Sequence, residues 1–288
     1  MTGSDDKSGR RGPLLVLPAA AYLMIFFVLP LIIVLVISFV ERGRAGGVRS
    51  PLAPTIQYYI RLVDPLYVGI FFKSARIALL VTGVCVLLGY PLAVFIGRSP
   101  PRLRSPLLML VMIPFWTNFL VRTYAMKQLL GAEGGINGLL LWLGLIHSPL
   151  SLIFNEFSVV LGLVYGYFPF AVLPMYASIE KFDLTLMEAA SDLGANLRRA
   201  FLQVMLPLTF PGVLAAIVLV FVPVVGAFIT PDIMGGGKVE MIGTLINRQF
   251  GVARNWPFGS AMSLALMVMV VAGVLYYLRS SEEKERPI

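Results

Sequence analysis

The chain has 288 residues, 58% of them hydrophobic and 13% charged, with a mean hydropathy of +0.86 and a formal net charge of +8. A water-soluble domain carries about 25% charged residues, so this composition excludes an ordinary aqueous fold. The basic balance does not indicate nucleic acid, because no dense basic patch or reader motif is present, and the lone Cys85 excludes an intrachain disulfide or a thiolate metal cluster.

Residues 1–13 are polar and end in Lys7, Arg10 and Arg11, which suits a short cytoplasmic tail. Leu14 to Val40 holds 27 residues without a charge. As a helix this is about 40 Å, more than a hydrocarbon core of about 30 Å requires. The run is too long for a cleavable signal, and Ala19-Ala20-Ala21 sits too early in it to be a cleavage site, so 14–40 is expected as an uncleaved first span. Residues 41–73 read as a loop with Gly, Pro and five basic residues, Arg42, Arg44, Arg49, Arg61 and Lys73. A second span is expected over 77–97, followed by a basic turn (Arg98, Arg102, Arg104), and a third over 105–127. The apolar piece 138–150 is too short to cross and is expected at the interface or over the mouth. A fourth span follows over 157–179, a polar stretch over 180–211, a fifth span over 212–231, a sixth over 257–278 and a charged tail over 280–288. The reading is an all-α membrane protein with six transmembrane helices.

Six crossings put both termini on one side. With them in the cytoplasm, the inner segments hold twelve Lys and Arg (Lys7, Arg10, Arg11, Arg98, Arg102, Arg104, Lys181, Arg198, Arg199, Arg279, Lys284, Arg286). The outer loops hold eight (Arg42, Arg44, Arg49, Arg61, Lys73, Lys238, Arg248, Arg254), an excess in the direction of the positive-inside rule, with the 41–73 loop running against it.

The same orientation makes 180–211 cytoplasmic. Met187, Ala190, Leu193, Leu197, Phe201 and Val204 recur every three or four residues, which predicts one apolar stripe, while Glu188, Asp192, Asn196, Arg199 and Gln203 fall opposite. Thr185-Leu186-Met187-Glu188 fits a capping box, Gly194 interrupts the pattern, and Pro207 with Pro211 is expected to end it.

Within this stretch Glu188-Ala189-Ala190, three residues, Gly194, nine residues, Val204, one residue, Leu206-Pro207 resembles the EAA loop of permease subunits of ATP-binding-cassette (ABC) importers. Seven positions over twenty residues carry the likeness, with Val204 in place of Ile the only departure. The third span adds Pro114-Phe115-Trp116-Thr117-Asn118 through Arg122-Thr123-Tyr124-Ala125, and the region after the fifth adds Gly226-x-Phe228-x-Thr230-Pro231-Asp232 through Gly235-Gly236. These resemble the spermidine/putrescine branch of that family, and Leu129-Leu130-Gly131 with Gly134 and Asn137 extends the likeness.

The resemblance implies a type I ABC importer permease in the bacterial inner membrane. Glu188, Ala189, Ala190, Asp192, Gly194, Leu206 and Pro207 would form the loop that docks on a dimer of separate ATPase subunits. It further implies a second, paralogous permease, and a periplasmic or lipid-anchored solute-binding protein that delivers cargo. This chain would bind no cofactor, ATP and Mg²⁺ belonging to the ATPase partner, and no nucleic acid. Polyamine is the substrate implied. Lys73, Arg76, Arg122 and Lys127 near the outer face are awkward for a polycation and leave an anionic or zwitterionic solute of a relative in the same branch as the alternative.

Trp116, Asn118, Arg122, Tyr124, Tyr165 and Asp232 are candidates for the path. Polar groups at membrane depth are costly and face a bundle interior or cavity, and Asn118 and Arg122, one turn apart, would share a face. Each has a plainer reading: Arg122 and Lys127 snorkel to the surface, Trp116 and Tyr124 join an interfacial belt, Tyr165 packs, Asp232 turns the chain after Pro231. No catalytic or metal-binding set is present. Gly235-Gly236-Gly237-Lys238 is followed by Val239 where a phosphate loop needs Ser or Thr, and Asp232 stands where its first Gly belongs. His147 is the sole histidine. A self-sufficient secondary transporter would need coupling-ion carboxylates, and the centres of spans one, two, four, five and six lack Asp, Glu and Lys.

Overall fold

The computed structural model describes residues 18, 20–49 and 53–284, and among these the regular structure is helical apart from two isolated β-bridges. The expected tail over 1–13 and residues 285–288 lie outside the described residues. Two compact units emerge, one formed by Met1–Asp64 with Ile246–Gly273, the other by Pro65–Leu245 with Val274–Ile288.

In the first unit, α1 (Ala20–Ser38) carries the expected first span and buries none of its apolar window. The expected loop then folds into a small hairpin, bridged at Val40 to Pro54 and Arg42 to Val48, before α2 (Gln57–Leu62). Several of its cations have definite partners. Arg49 pairs with Glu41, Arg42 donates to the Ala253 carbonyl at 2.6 Å, and the Arg61 guanidinium lies 4.8 Å from the Phe258 ring centroid.

In the second unit, α3 (Pro65–Arg98) corrects the second span: it begins twelve residues before Ile77 and absorbs the end of the expected 41–73 loop. Its buried face runs through Ile77, Val81, Cys85, Gly89, Ala93 and Ile96 at spacings of three and four. The core forms where α3 packs on α7 (Glu156–Glu180) and both pack on α9 (Leu197–Val225). Small residues permit the close approach, as is general for helices in lipid. A Cβ at Gly97 would stand 2.8 Å from Ile179 Cγ2, one at Gly89 2.9 Å from Met175 Cε, and one at Gly212 2.8 Å from the Pro174 carbonyl oxygen. A buried Tyr90–Thr209 hydroxyl pair, 2.7 Å apart, ties α3 to α9.

The third span departs from expectation. Instead of one helix over 105–127, α4 (Pro101–Met112) tightens into a 3₁₀ turn at Ile113–Trp116, and α5 (Phe119–Leu130) leads on to α6 (Gly135–Trp142). The two arms meet at 87°. Thr117, in extended backbone, ends one arm, and Asn118 Oδ1 accepts from the Leu120 N–H at 2.8 Å to start the next. Asn137, fully buried, pins the excursion by donating to the Gly131 and Leu150 carbonyls and accepting from the Leu150 N–H. Among the described residues, five helices are long and apolar enough to cross a membrane, and the bent pair makes a sixth candidate.

The stretch 180–211 is also corrected. It is one short helix, α8 (Thr185–Asp192), a turn, and then α9, which continues into the fifth span. Thr185 is not an N-cap; Asp183 Oδ1 accepts its N–H at 2.9 Å, so the predicted capping box is not formed. Pro207 and Pro211 do not end the helix. Phe201–Met205 winds as a π-turn, with the Leu206 N–H bonded five residues back to the Phe201 carbonyl, and Pro207, having no N–H to place, follows without a break. Beyond α9 come α10 (Ile229–Gly235), α11 (Ile242–Phe250) and α12 (Trp256–Lys284), which carries the sixth span and runs on as helix into the expected tail.

Candidate functional site

Two places gather the expected residues. At the first, α8 ends in a Schellman turn: the Ala195 N–H donates to the Ala190 carbonyl at 3.0 Å and the Gly194 N–H to the Ser191 carbonyl at 2.9 Å. Gly194 sits at φ +86°, a left-handed conformation that glycine adopts without penalty, with nothing within 4 Å of where a Cβ would lie. The requirement for glycine here is conformational, not one of space. Asn196 then caps the next helix by accepting the Arg199 N–H at 2.9 Å, a role that its placement on a polar face did not suggest.

Glu188, Ala189, Asp192 and Gly194 are exposed, Ala190 half-buried. The expected stripe holds at Met187, which is buried, and fails at the turn, where Leu193 just before Gly194 is 90% and Leu197 after it 71% exposed. The left-handed residue rotates the chain, so one periodicity cannot run through it. Leu206 is half-buried and Pro207 exposed where α9 leaves the loop. Accepting the Thr185 N–H holds the Asp183 carboxyl below its ordinary range. The product is a rigid, doubly capped elbow with exposed leucines on a helical turn.

The second place is the inner side of the broken span. Arg122 on α5 lays its guanidinium 4.3 Å from the Phe115 ring centroid and 5.8 Å from that of Phe119. Phe115 also meets Tyr165 and Phe170 at centroid distances of 6.4 and 6.5 Å, and Phe170 meets Tyr167 at 6.1 Å. Gly166 on α7 makes room, since a Cβ there would press on Phe119 at 3.3 Å. Arg122, Phe115, Phe119, Tyr167 and Phe170 line a cavity of about 300 Å³. The Arg122 Nε and Nη1 are buried and meet no acceptor among the described groups. Cation–π contact on a desolvated ring stabilises by about 2 kcal/mol, whereas each buried donor without an acceptor costs about 1–3 kcal/mol. Contact with the rings, and not a hydrogen bond from Nε or Nη1 to a described group, is what places the guanidinium.

The other path candidates are dispersed. Asn118 does not share a polar face with Arg122, its side chain being used as a helix cap. Trp116 is 75% exposed at the bend, and Tyr124, also exposed, lies 5.8 Å beneath the Lys127 ammonium. Asp232 is exposed in the first turn of α10. Tyr165 alone among them joins Arg122, lining a narrow cleft with Phe119, Thr123 and Met126. Nor do the outer cations act as a free cluster: Arg76 is paired with Glu156 at 2.5 and 2.6 Å, and Lys127 also lies 5.5 Å from the Phe154 ring. The sequence held a signal for the aromatic partners, because Phe119 and Phe115 lie three and seven residues before Arg122.

The glycine turn after the fifth span is a packing device. Phe154, at φ 61°, donates its N–H to the Met234 carbonyl at 3.0 Å and covers the left-handed Gly236, while Gly162 admits Thr230 and Met234 against α7.

Residues 89–280 match the family described as "Binding-protein-dependent transport system inner membrane component". The spermidine/putrescine transport system permease protein PotB of Haemophilus influenzae is 40% identical over 268 residues, 93% of each chain. PotB of Escherichia coli is 41% identical over 267 residues, 93% of this chain and 96% of that one. Among solved structures, a bacterial ABC transporter involved in the import of the acidic polysaccharide alginate aligns with a TM-score of 0.69 at 18% identity, over 97% of this chain and 99% of that one. The alginate transporter in complex with an alginate pentasaccharide-bound periplasmic protein aligns at 0.68, over 94% of both chains. Those likenesses carry the fold alone. With its apolar helices, its capped elbow and these relatives, the chain belongs to the family of binding-protein-dependent transport system inner membrane components: it is a multi-pass permease subunit of an ABC importer.

Proposed function

We propose that this permease imports polyamines, coupled through α8 to a separate ATPase. The observation that carries the coupling is the exposed, doubly capped elbow of Glu188, Ala189, Ala190, Asp192 and Gly194, rimmed by Leu193 and Leu197. A rigid helix with exposed leucines fits a groove on a partner, and its continuation into α9 gives the push a route into the bundle. ATP and Mg²⁺ are held by the ATPase dimer. A second, paralogous permease completes the path, a solute-binding protein loads it from outside, and both termini and the elbow face the cytoplasm. The support for polyamine as cargo is the 40–41% identity with the two PotB permeases over nearly the full chain.

The test is spermidine uptake into proteoliposomes holding this chain with its partner permease, ATPase and binding protein. Uptake is expected only with ATP present. Uptake by this chain without the ATPase, or uptake driven by an ion gradient, would sink the coupling; ATP-driven import of another solute in place of spermidine would sink the substrate.

A further inference from the structure

We propose that the aromatic box of Phe115, Phe119, Tyr165, Tyr167 and Phe170 is a binding site for one alkylammonium group of the cargo, and that Arg122 is its resident occupant, leaving when cargo arrives. The identity of the cargo rests on the polyamine reading above; the box itself rests on geometry. Ring faces attract cations, and Phe115, Phe119, Tyr167 and Phe170 line a cavity of about 300 Å³, with Tyr165 beside it at 6.4 Å from Phe115. The guanidinium on Phe115 demonstrates that the box takes a cation.

No acceptor among the described groups ties the Arg122 Nε or Nη1 in place, so the rings are what hold the guanidinium. A polyamine ammonium carries only donors and cannot satisfy those of Arg122; two cations on the same rings would repel. The two therefore exchange, and the arginine on its long flexible stem moves aside. Such a tethered occupant keeps the box from trapping stray cations and returns after each cargo molecule, which lets binding remain weak enough for release.

Two measurements separate the box from the cargo. In the complete transporter, Arg122→Gln vacates the rings and is expected to lower the KM for spermidine uptake by about fivefold, whereas Phe115→Leu raises it by about as much, both with little change in kcat. An increase in KM with Arg122→Gln, at wild-type membrane levels, would overturn the proposal and make Arg122 a donor to an acceptor on the cargo. The second uses butylammonium, which need not be imported, against detergent-solubilised transporter carrying Phe115→Trp. The fluorescence added by that substitution is expected to change saturably, at lower butylammonium concentration when Arg122→Gln is also present. No saturable change in either form would overturn the box whatever the transporter imports; failure of spermidine uptake by the wild type alongside a saturable change would overturn only the polyamine reading.

Discussion

Gly194 is decided by backbone geometry and not by crowding. An L-residue forced into the left-handed region costs about 1–2 kcal/mol, while Asn tolerates it. Gly194→Asn is therefore expected to keep most substrate-stimulated ATPase activity in the reconstituted complex. Gly194→Val and Gly194→Glu are expected to insert normally and lose the stimulation, and equal stimulation in all three variants would show that the turn is not needed for coupling. The motif spacing pointed to this glycine. It could not reveal why Ala190 precedes it by four: Ala190 supplies the carbonyl that closes the turn. Arg122 was legible as an anomaly, a charge inside an apolar run, and Phe115 and Phe119 as near neighbours in sequence, but the rings across from it were not. Tyr165, Tyr167 and Phe170 lie more than forty residues away and line cavities with it only because α7 packs beside α5.

At the scale of elements, each expected span coincides among the described residues with an apolar helix or, for the third, a bent pair, while several ends differ. A membrane-length threshold cannot register that α3 extends beyond the apolar core, or that α4 and α5 part within one apolar run. The break rests on Pro114, the 3₁₀ turn and the Asn118 cap, which leave the average hydropathy untouched. Prolines misled in the opposite direction. In water Pro207 and Pro211 would be expected to end a helix, whereas here the π-turn at Phe201–Met205 leads into Pro207 and the helix continues through Pro211. The packing of α10 on α7 offers a direct check. Gly162→Leu would drive a side chain into Met234 and Thr230 and is expected to destabilise the solubilised protein by about 1–3 kcal/mol. Gly83→Leu, on the same bundle with nothing within 4 Å of its Cβ position, is expected to be neutral in the same thermal melts. Matching losses at the two sites would contradict the packing described for α10.

For the molecule as a whole, charge bookkeeping along the chain implied an inward elbow by a modest margin, with the 41–73 loop against it. In the structure Arg49, Arg42 and Arg61 are engaged within their own unit and Lys73 lies on a helix, but the rule counts Lys and Arg whether paired or not, so the discrepancy stands. The topology can be read directly. With Cys85→Ser as background, an impermeant maleimide is expected to label Lys238→Cys on intact spheroplasts and Ser191→Cys only after permeabilisation. The reverse pattern would remove the elbow from the side on which ATP is available.

The π-turn at Phe201–Met205 has one last consequence, for angular phase. Ala200 and Met205, five residues apart, are both buried, and from Met205 the inward positions recur at Thr209, Val213, Ala216, Val220 and Val224. In regular winding, at about 100° per residue, a step of five would carry the second side chain well away from the first. The surplus residue takes up that rotation, so the segment leaving the elbow and the segment crossing the bilayer each keep the azimuth their own neighbours demand, on a single uninterrupted rod.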